Sequence, residues 1–258
     1  MRNIRLTVCY DGTRYKGWQR LPGVENTIQG KLEQVLSRIL GEDIEISGSG
    51  RTDAGAHAVG QVANFHCGSN MPCGEILLQL RRYLPEDIGI VSCEEAAPRF
   101  HARLNCRTKT YQYRVWNSEN PCVFDRRFVY VLADSLDIER MQYAAKRLIG
   151  EHDFSAFCAN KKMKKSTVRR VDAIDIRRSG EEILFTFTGD GFLYNMARAM
   201  AGTVVYAAEG KFPPEQIGQI LDSGNRTAAG PTVPPGGLYM THLWYDDGVE
   251  NFECTPVL

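Results

Sequence analysis

Hydrophobic residues alternate with polar ones in some segments of the chain and recur at helical spacing in others. In residues 4–10 every second position is apolar, which predicts a strand with one buried face. Apolar positions in residues 26–41 recur every three or four residues instead. We predict a helix there, capped by Asn26 and ended by Gly41.

The same two patterns recur along the rest of the chain. Helices are predicted at residues 74–85, 137–150 and 196–210. Strands are predicted at residues 43–50, 60–67, 87–96, 110–117, 127–132, 168–177, 183–188 and in the closing segment after a Pro/Gly-rich loop. Two successive sets of strands and helices predict an α+β fold with two similar domains, residues 1–105 and 106–258.

Composition narrows the class of protein. The chain has 258 residues, of which 43% are hydrophobic and 24% charged, with no apolar run long enough for a membrane span and no signal-peptide pattern at the N-terminus. Eight cysteines are present without a Cys-x-x-Cys pair, so neither a zinc ribbon nor a disulfide framework is indicated. We expect a cytoplasmic protein with reduced thiols.

Charge is balanced over the whole chain but unevenly distributed. Thirty-one basic residues cancel 31 acidic ones, which by itself argues against a nucleic-acid binder. Residues 161–170, however, hold six positive charges and no acid, and residues 99–114 mix basic and aromatic residues, again without an acid. Such segments are typical of a local polyanion site, although a charge run in an exposed loop is more often simply solvated.

A single carboxylate, Asp53, stands in the glycine-rich segment "SGSGRTDAG", residues 47–55. An Asp in this setting often accepts backbone N–H groups in a turn. Arg51 does not decide the matter, because it would pair equally well with a carboxylate or a phosphate. From the residues alone, a structural and a chemical role for Asp53 stay equally open.

Six motifs, in order, resemble those of the TruA family of tRNA pseudouridine synthases. The most specific is "GRTDAGAHAVGQVANF", residues 50–65, which is similar to the segment carrying the family's catalytic Asp. The others are "YDGTRYKGWQ" (10–19), "FHARLNCRTKTYQY" (100–113), "HDFSAF" (152–157), "GDGFLYNMARAMAGTVV" (189–205) and "PPGGLY" (234–239).

This resemblance implies a fold, a reaction and an assembly. The fold would consist of two α+β domains, each a mainly antiparallel sheet with helices on one face, and an active cleft between them. The reaction would isomerise uridine to pseudouridine in the anticodon stem-loop of tRNA, at tRNA positions 38, 39 and 40. The family resemblance also implies a homodimer that needs no metal or organic cofactor.

The resemblance assigns roles to particular residues. Asp53 would be the catalytic carboxylate, acting as nucleophile or base, and a lone acid suits an isomerisation that must not deliver water. Arg198 matches the positive partner of that carboxylate, and Arg51 is a further substrate-binding candidate. Tyr111 matches the tyrosine that packs against the target uracil, whereas we interpret Tyr113 as a core residue.

Basic and polar residues near these motifs are candidate RNA contacts. They are Arg14, Lys16, Gln19, Arg103, Lys161, Lys162, Lys164 and Lys165. Two alternatives remain: an RNA-binding module without catalytic activity, and a hydrolase using Asp53. The hydrolase is disfavoured because no second carboxylate or metal-ligand set accompanies Asp53 in the sequence.

Overall fold

A computed structural model describes residues 1–160 and 163–246, which form two compact α+β units. The first unit comprises Met1–Arg107 and the segment from Tyr239, and the second comprises Thr108–Leu238. The sequence had assigned everything from residue 106 onward to the second domain. The difference arises because the final strand pairs with a strand from the first half of the chain, and periodicity does not reveal such a long-range pairing.

A mainly antiparallel sheet forms the centre of the first unit. Its elements are β1 (Arg2–Tyr10), α1 (Ile28–Leu40), β2 (Ser47–Gly48), β3 (His57–Cys67), α2 (Cys73–Tyr83), β4 (Ile88–Ala96) and the returning last strand, β10 (Leu238–Tyr245). Strands follow the order β4-β1-β3-β10, with β2 also paired to β3. All these pairs are antiparallel except β3–β10, which is parallel.

Helix α1 shows where sequence patterns succeed and where they miss. Gly41 ends it in the left-handed conformation, as predicted, but the N-cap is Thr27, whose side chain accepts the Gly30 N–H, and not Asn26. The strand predicted at 43–50 shortens to β2. In the rest of that segment a side chain of α1 replaces a neighbouring strand as hydrogen-bond partner, since Glu33 accepts the Ile46 N–H.

The strands of the second unit are also mainly antiparallel. Its elements are β5 (Cys106–Asn117), β6 (Tyr130–Leu132), α3 (Ile138–Ala145), β7 (Gly150–Asp153), β8 (Val168–Ser179), β9 (Glu182–Gly189), α4 (Met196–Ala208) and α5 (Gln216–Ser223). The order β5-β9-β8-β7 is antiparallel throughout, and β6 adds to β5 in parallel. The sequence did not predict β7 or α5, and the helix predicted at 137–150 ends earlier, in one 3-10 turn.

Helix α4 lies in the core of the second unit and holds the Pro/Gly-rich loop against itself. Ten of its 13 residues are buried, and a Cβ on Gly202 would come within 2.0 Å of the Pro231 carbonyl oxygen. Thr203 accepts the Gly230 N–H at 2.9 Å. The loop therefore packs directly on the helix that carries Arg198.

None of the helices in residues 1–160 and 163–246 is long and apolar enough to cross a membrane.

Candidate active site

Asp53 lies in a tight turn between β2 and β3 of the first unit. Its carbonyl accepts the Ala56 N–H at 3.1 Å, and Gly55 has a φ of 80°, which glycine adopts without strain. The Asp53 side chain is half-exposed, whereas Thr52 just before it is buried. The turn thus presents a carboxylate on a backbone that is anchored at its neighbour.

Residues 10–18 hold this turn from the other side. The hydroxyls of Tyr10 and Thr52 are hydrogen-bonded at 2.7 Å, and the Trp18 N–H donates to the Thr52 carbonyl at 3.1 Å. Gly17 passes so close that a Cβ on it would lie 2.7 Å from the same carbonyl oxygen, and its φ of 94° also favours glycine. The backbone before Asp53 is therefore held by these two hydrogen bonds and by the close approach of Gly17 to the Thr52 carbonyl.

Asp87, just before β4, anchors residues 10–18, which we call the holding segment of the Asp53 turn. The Tyr15 hydroxyl donates to Asp87 Oδ1 at 2.6 Å, and the Arg14 guanidinium donates to Oδ2 at 2.6 Å. The Tyr15 carbonyl in turn accepts the Gly55 N–H at 3.3 Å. Burial alone would raise the pKa of Asp87, but the hydrogen bonds from Tyr15 and Arg14 outweigh it, so the pKa is lowered and the carboxylate stays charged.

His57 fixes the start of the same segment. Its Nδ1 accepts the Gly12 N–H at 3.1 Å, and its ring stacks on Tyr239 of β10 with 4.8 Å between ring centroids. A Cβ on Gly12 would come within 1.8 Å of the Ala56 carbonyl oxygen, so only glycine fits there. The imidazole is thus part of the support behind the Asp53 turn.

Tyr111 and Tyr113 lie two residues apart on β5 of the second unit and differ in surroundings. Tyr111 is 7% exposed and packs edge-on against Phe192 with 5.1 Å between ring centroids. Tyr113 is fully buried, donates its hydroxyl to the Pro234 carbonyl at 2.8 Å, and has its pKa raised by burial. Tyr113 is therefore a core residue of this unit.

Arg198, on α4, has its guanidinium oriented by two hydrogen bonds. Nε donates to the Val233 carbonyl at 2.7 Å, and Nη1 donates to Asn195 Oδ1 at 3.1 Å. Asn195 has a φ of 63° and is the sole non-glycine residue with positive φ in the described part of the chain. Asn tolerates this conformation better than most residues, and here it brings its side chain to Arg198.

The remaining candidates differ in what surrounds them. Arg51, Lys16 and Arg103 are exposed, and Gln19 is half-buried. Arg14 is ion-paired with Asp87, a role that the sequence did not predict. Lys164 and Lys165 are exposed beside a groove described below, whereas Lys161 and Lys162 lie outside the described residues.

Sequence reasoning missed Thr52, Asp87 and Asn195 as supports of the candidate residues, and it interpreted His57 only as a structural residue or an incidental RNA contact. A signal existed for Thr52 and His57, because both lie inside the motif around Asp53. Asp87 and Asn195 carried no comparable signal, since their roles depend on contacts made only after folding.

Comparison with known proteins matches these features to one family. The profile of the tRNA pseudouridine synthase family matches residues 6–105 and 144–246. The chain is 44% identical to tRNA pseudouridine synthase A 2 of Clostridium perfringens over 95% of its length and 100% of that protein. It is 45% identical to tRNA pseudouridine synthase A of Bacillus sp. strain KSM-64, covering 93% of this chain and 98% of that one.

Two further similarities complete the comparison. The tRNA pseudouridine synthase A of Caldicellulosiruptor bescii is 43% identical over 95% of this chain and all of that protein. A chain of a solved Cbf5-Nop10-Gar1 complex matches with a TM-score of 0.39 and 13% identity, over 93% of this chain and 50% of that one, too distant for any inference.

The structure is thus a two-unit α+β protein with one carboxylate on a firmly held turn. The family profile matches this chain over most of its length. The chain belongs to the tRNA pseudouridine synthase family, whose members are isomerases. The resemblance that the sequence motifs indicated is confirmed.

Proposed function

We propose that this protein isomerises uridine to pseudouridine in the anticodon stem-loop of tRNA, at tRNA positions 38, 39 and 40. Asp53 is the proposed catalytic residue. The observation that carries the proposal is the Asp53 turn, whose backbone is held by Tyr10, Tyr15 and Trp18 while the carboxylate remains half-exposed. Fixed geometry of this kind favours catalysis, because a small displacement of a reacting group costs rate.

The proposed reaction needs one ionised carboxylate and no water. The bond between uracil N1 and ribose C1′ breaks, the base turns, and a bond forms between C5 and C1′. The C5 proton is lost and N1 gains one, so the product has the same atoms as the substrate. Asp53 acts either as a nucleophile or as the base that removes a proton.

Two residues of the second unit are proposed to bind the substrate. Tyr111 is proposed to pack against a uracil that has left its stack, with its ring oriented by the edge contact with Phe192. Arg198 offers a cation whose direction is set by Asn195 and Val233, and it remains our proposed partner for the Asp53 carboxylate. Arg51, exposed in the Asp53 turn, is proposed to contact phosphate.

The proposal is tested by Asp53→Asn, which keeps the shape of the side chain and removes its charge. Purified parent and variant are incubated with an unmodified tRNA transcript, and pseudouridine is mapped by position. We expect pseudouridine in the anticodon stem-loop with the parent and none with the variant, while tRNA affinity stays within about twofold because the carboxylate contributes no favourable charge toward RNA.

Asp222→Asn is the matched control, since Asp222 is exposed on the last turn of α5. It should retain parental turnover. Pseudouridine formation by Asp53→Asn would exclude Asp53 as the catalytic residue. Tight tRNA binding without product, even for the parent, would instead support the alternative of an RNA-binding module without activity.

Location and assembly are part of the same proposal. We propose a cytoplasmic homodimer, on the basis of the family to which the chain belongs. Sedimentation of the purified protein across a concentration series distinguishes a dimer from a monomer, and a mass near the 29.0 kDa of one chain at all concentrations would contradict the dimer.

A further inference from the structure

An open groove of about 730 Å³ lies in the second unit, on the side of β7 and the loop that follows α5. One wall is built from residues within 153–160 and 163–168, the second range being part of the basic segment, and the other wall from residues 224–227. The walls meet tightly, because a Cβ on Gly224 would come within 2.9 Å of Ser155 Oγ. The groove is therefore formed by the fold and not by a loose surface loop alone.

Arg226 supplies a partly buried cation to this groove. Its guanidinium donates to the Gly230 carbonyl at 2.8 Å and to Thr232 Oγ1 at 2.7 Å, both neutral acceptors. Its pKa is lowered by burial, and no carboxylate among the described residues offsets that effect. A desolvated cation without a counter-charge costs stability, which an anionic ligand would recover.

The opposite wall adds charge and hydrogen-bond donors. Lys164 and Lys165 are exposed there, beside Ser155 and Ser166, and Thr227 adds a further hydroxyl residue on the Arg226 wall. The groove also contains a carboxylate, Asp153, but it accepts the Ser155 N–H at 2.9 Å and a hydrogen bond from Thr167, which lowers its pKa. Three cations against one internally bonded carboxylate leave the groove with a net positive charge.

We propose that this groove binds the sugar-phosphate backbone of tRNA, with Arg226, Lys164 and Lys165 neutralising one or two consecutive phosphates. The volume exceeds that of a single phosphate and lies within the range of nucleotide-sized sites. The hydroxyl-rich lining suits ribose and phosphate oxygens, which position a nucleic acid without reading its sequence. The inference rests on the proposed function, because it takes tRNA as the polyanion.

The decisive variant is the double substitution Lys164→Gln and Lys165→Gln, which removes two charges from exposed side chains and leaves the core untouched. Lys146→Gln with Lys211→Gln is the matched control, because both residues are exposed in the same unit and neither lines the groove. Arg226→Lys, compared with Arg226→Gln, then separates loss of charge from loss of the bonds to Gly230 and Thr232.

Affinity for a tRNA transcript is measured across a salt series, together with ethylation interference, in which modified phosphates that block binding are mapped. For the groove variant we expect about tenfold weaker binding at ~0.15 M salt, and a salt slope shallower by about 1 to 2. Interference at one or two phosphates should disappear. Arg226→Lys should bind more tightly than Arg226→Gln.

Parental affinity, slope and interference pattern in the groove variant would overturn the proposal. An equal loss in the Lys146/Lys211 control would also overturn it, because the effect would then be one of net charge. Turnover at saturating tRNA is measured in parallel. Absence of pseudouridine in every protein, the parent included, identifies a failure of the proposed function, whereas parental turnover with altered binding supports the groove.

Discussion

Individual side chains decide how firmly the Asp53 turn is held, and Asp87 is the most connected of them. Its carboxylate accepts hydrogen bonds from Tyr15 and Arg14, and its carbonyl accepts the Asp11 N–H at 3.0 Å. Arg14 was predicted from sequence as an RNA contact, and that remains a prediction. Its guanidinium has a second role here, because it helps to keep the support of Asp53 in place.

Asp87→Asn should lower kcat by about tenfold with little change in tRNA affinity, because the Asp53 turn loses part of its support. Single-turnover rates and binding curves separate the two quantities. Asp222→Asn again serves as the control, and a parental rate in Asp87→Asn would show that Tyr15 holds the turn without this carboxylate.

The same substitution changes the pH dependence of stability. The pKa of Asp87 in the folded protein is below its usual 3.8, so its stabilising contribution is fully present above about pH 4 and is lost as pH falls through the lowered pKa. We expect Asp87→Asn to reduce the free energy of unfolding by about 1–3 kcal/mol at pH 7. The difference from the parent should shrink below pH 4 in denaturant titrations. A difference that does not change with pH would contradict the proposed charge pairing.

Turns and loops help to position the candidate residues Asp53 and Arg198. The segment after β1 approaches the Asp53 turn at Gly12 and Gly17, where a side chain would collide with backbone atoms. In the second unit, Gly202 and Gly230 allow the Pro/Gly-rich loop to reach α4. These glycines permit close approach, and the regular elements supply the frame against which the loops are held.

Gly17→Ala tests the close approach near Asp53. The added Cβ would lie 2.7 Å from the Thr52 carbonyl oxygen, at a φ that alanine rarely adopts, so the holding segment must shift. We expect a loss of at least tenfold in kcat and about 1–3 kcal/mol in unfolding free energy. Gly23→Ala is the control, because Gly23 also has a positive φ but no atom within 4 Å of its Cβ. Equal effects of the two substitutions would assign the loss to backbone strain alone.

The chain as a whole is organised by a last strand that returns to the first unit. Strand β10 pairs in parallel with β3, and Gly60 allows it to come close, since a Cβ there would lie 2.5 Å from the Thr241 carbonyl oxygen. Tyr245 on the same strand donates its hydroxyl to the Ala102 carbonyl at 2.6 Å. The two halves of the sequence are therefore not the two units.

Gly60→Ala should destabilise the first unit by about 1–3 kcal/mol, because the methyl group must displace either β10 or β3. Gly74→Ala is the matched control: this glycine lies in α2 with no atom within 4 Å of a Cβ, so alanine should stabilise by about 0.5–1 kcal/mol. Thermal unfolding measures both. Equal stability of the Gly60→Ala variant and the parent would show that β10 moves without cost.

The sequence by itself determined the elements whose evidence is local. Helices α1, α2 and α4 and strands β1, β8 and β9 follow from side-chain periodicity, because one buried face imposes a repeat on neighbouring residues. The motif around Asp53 identified the family, since it joins several residue types at fixed spacing. These features do not depend on how distant segments pack.

Only the tertiary structure decided the features that depend on distant segments. Asp87 reaches Arg14 across 73 positions, β10 reaches back to β3, and Arg226 meets the basic segment across a groove. The shortness of β2 also depends on tertiary contacts, because the Glu33 side chain, and not a neighbouring strand, accepts the Ile46 N–H just before it. No local pattern encodes such contacts, since each is selected by the packing of the complete fold and not by the preferences of neighbouring residues.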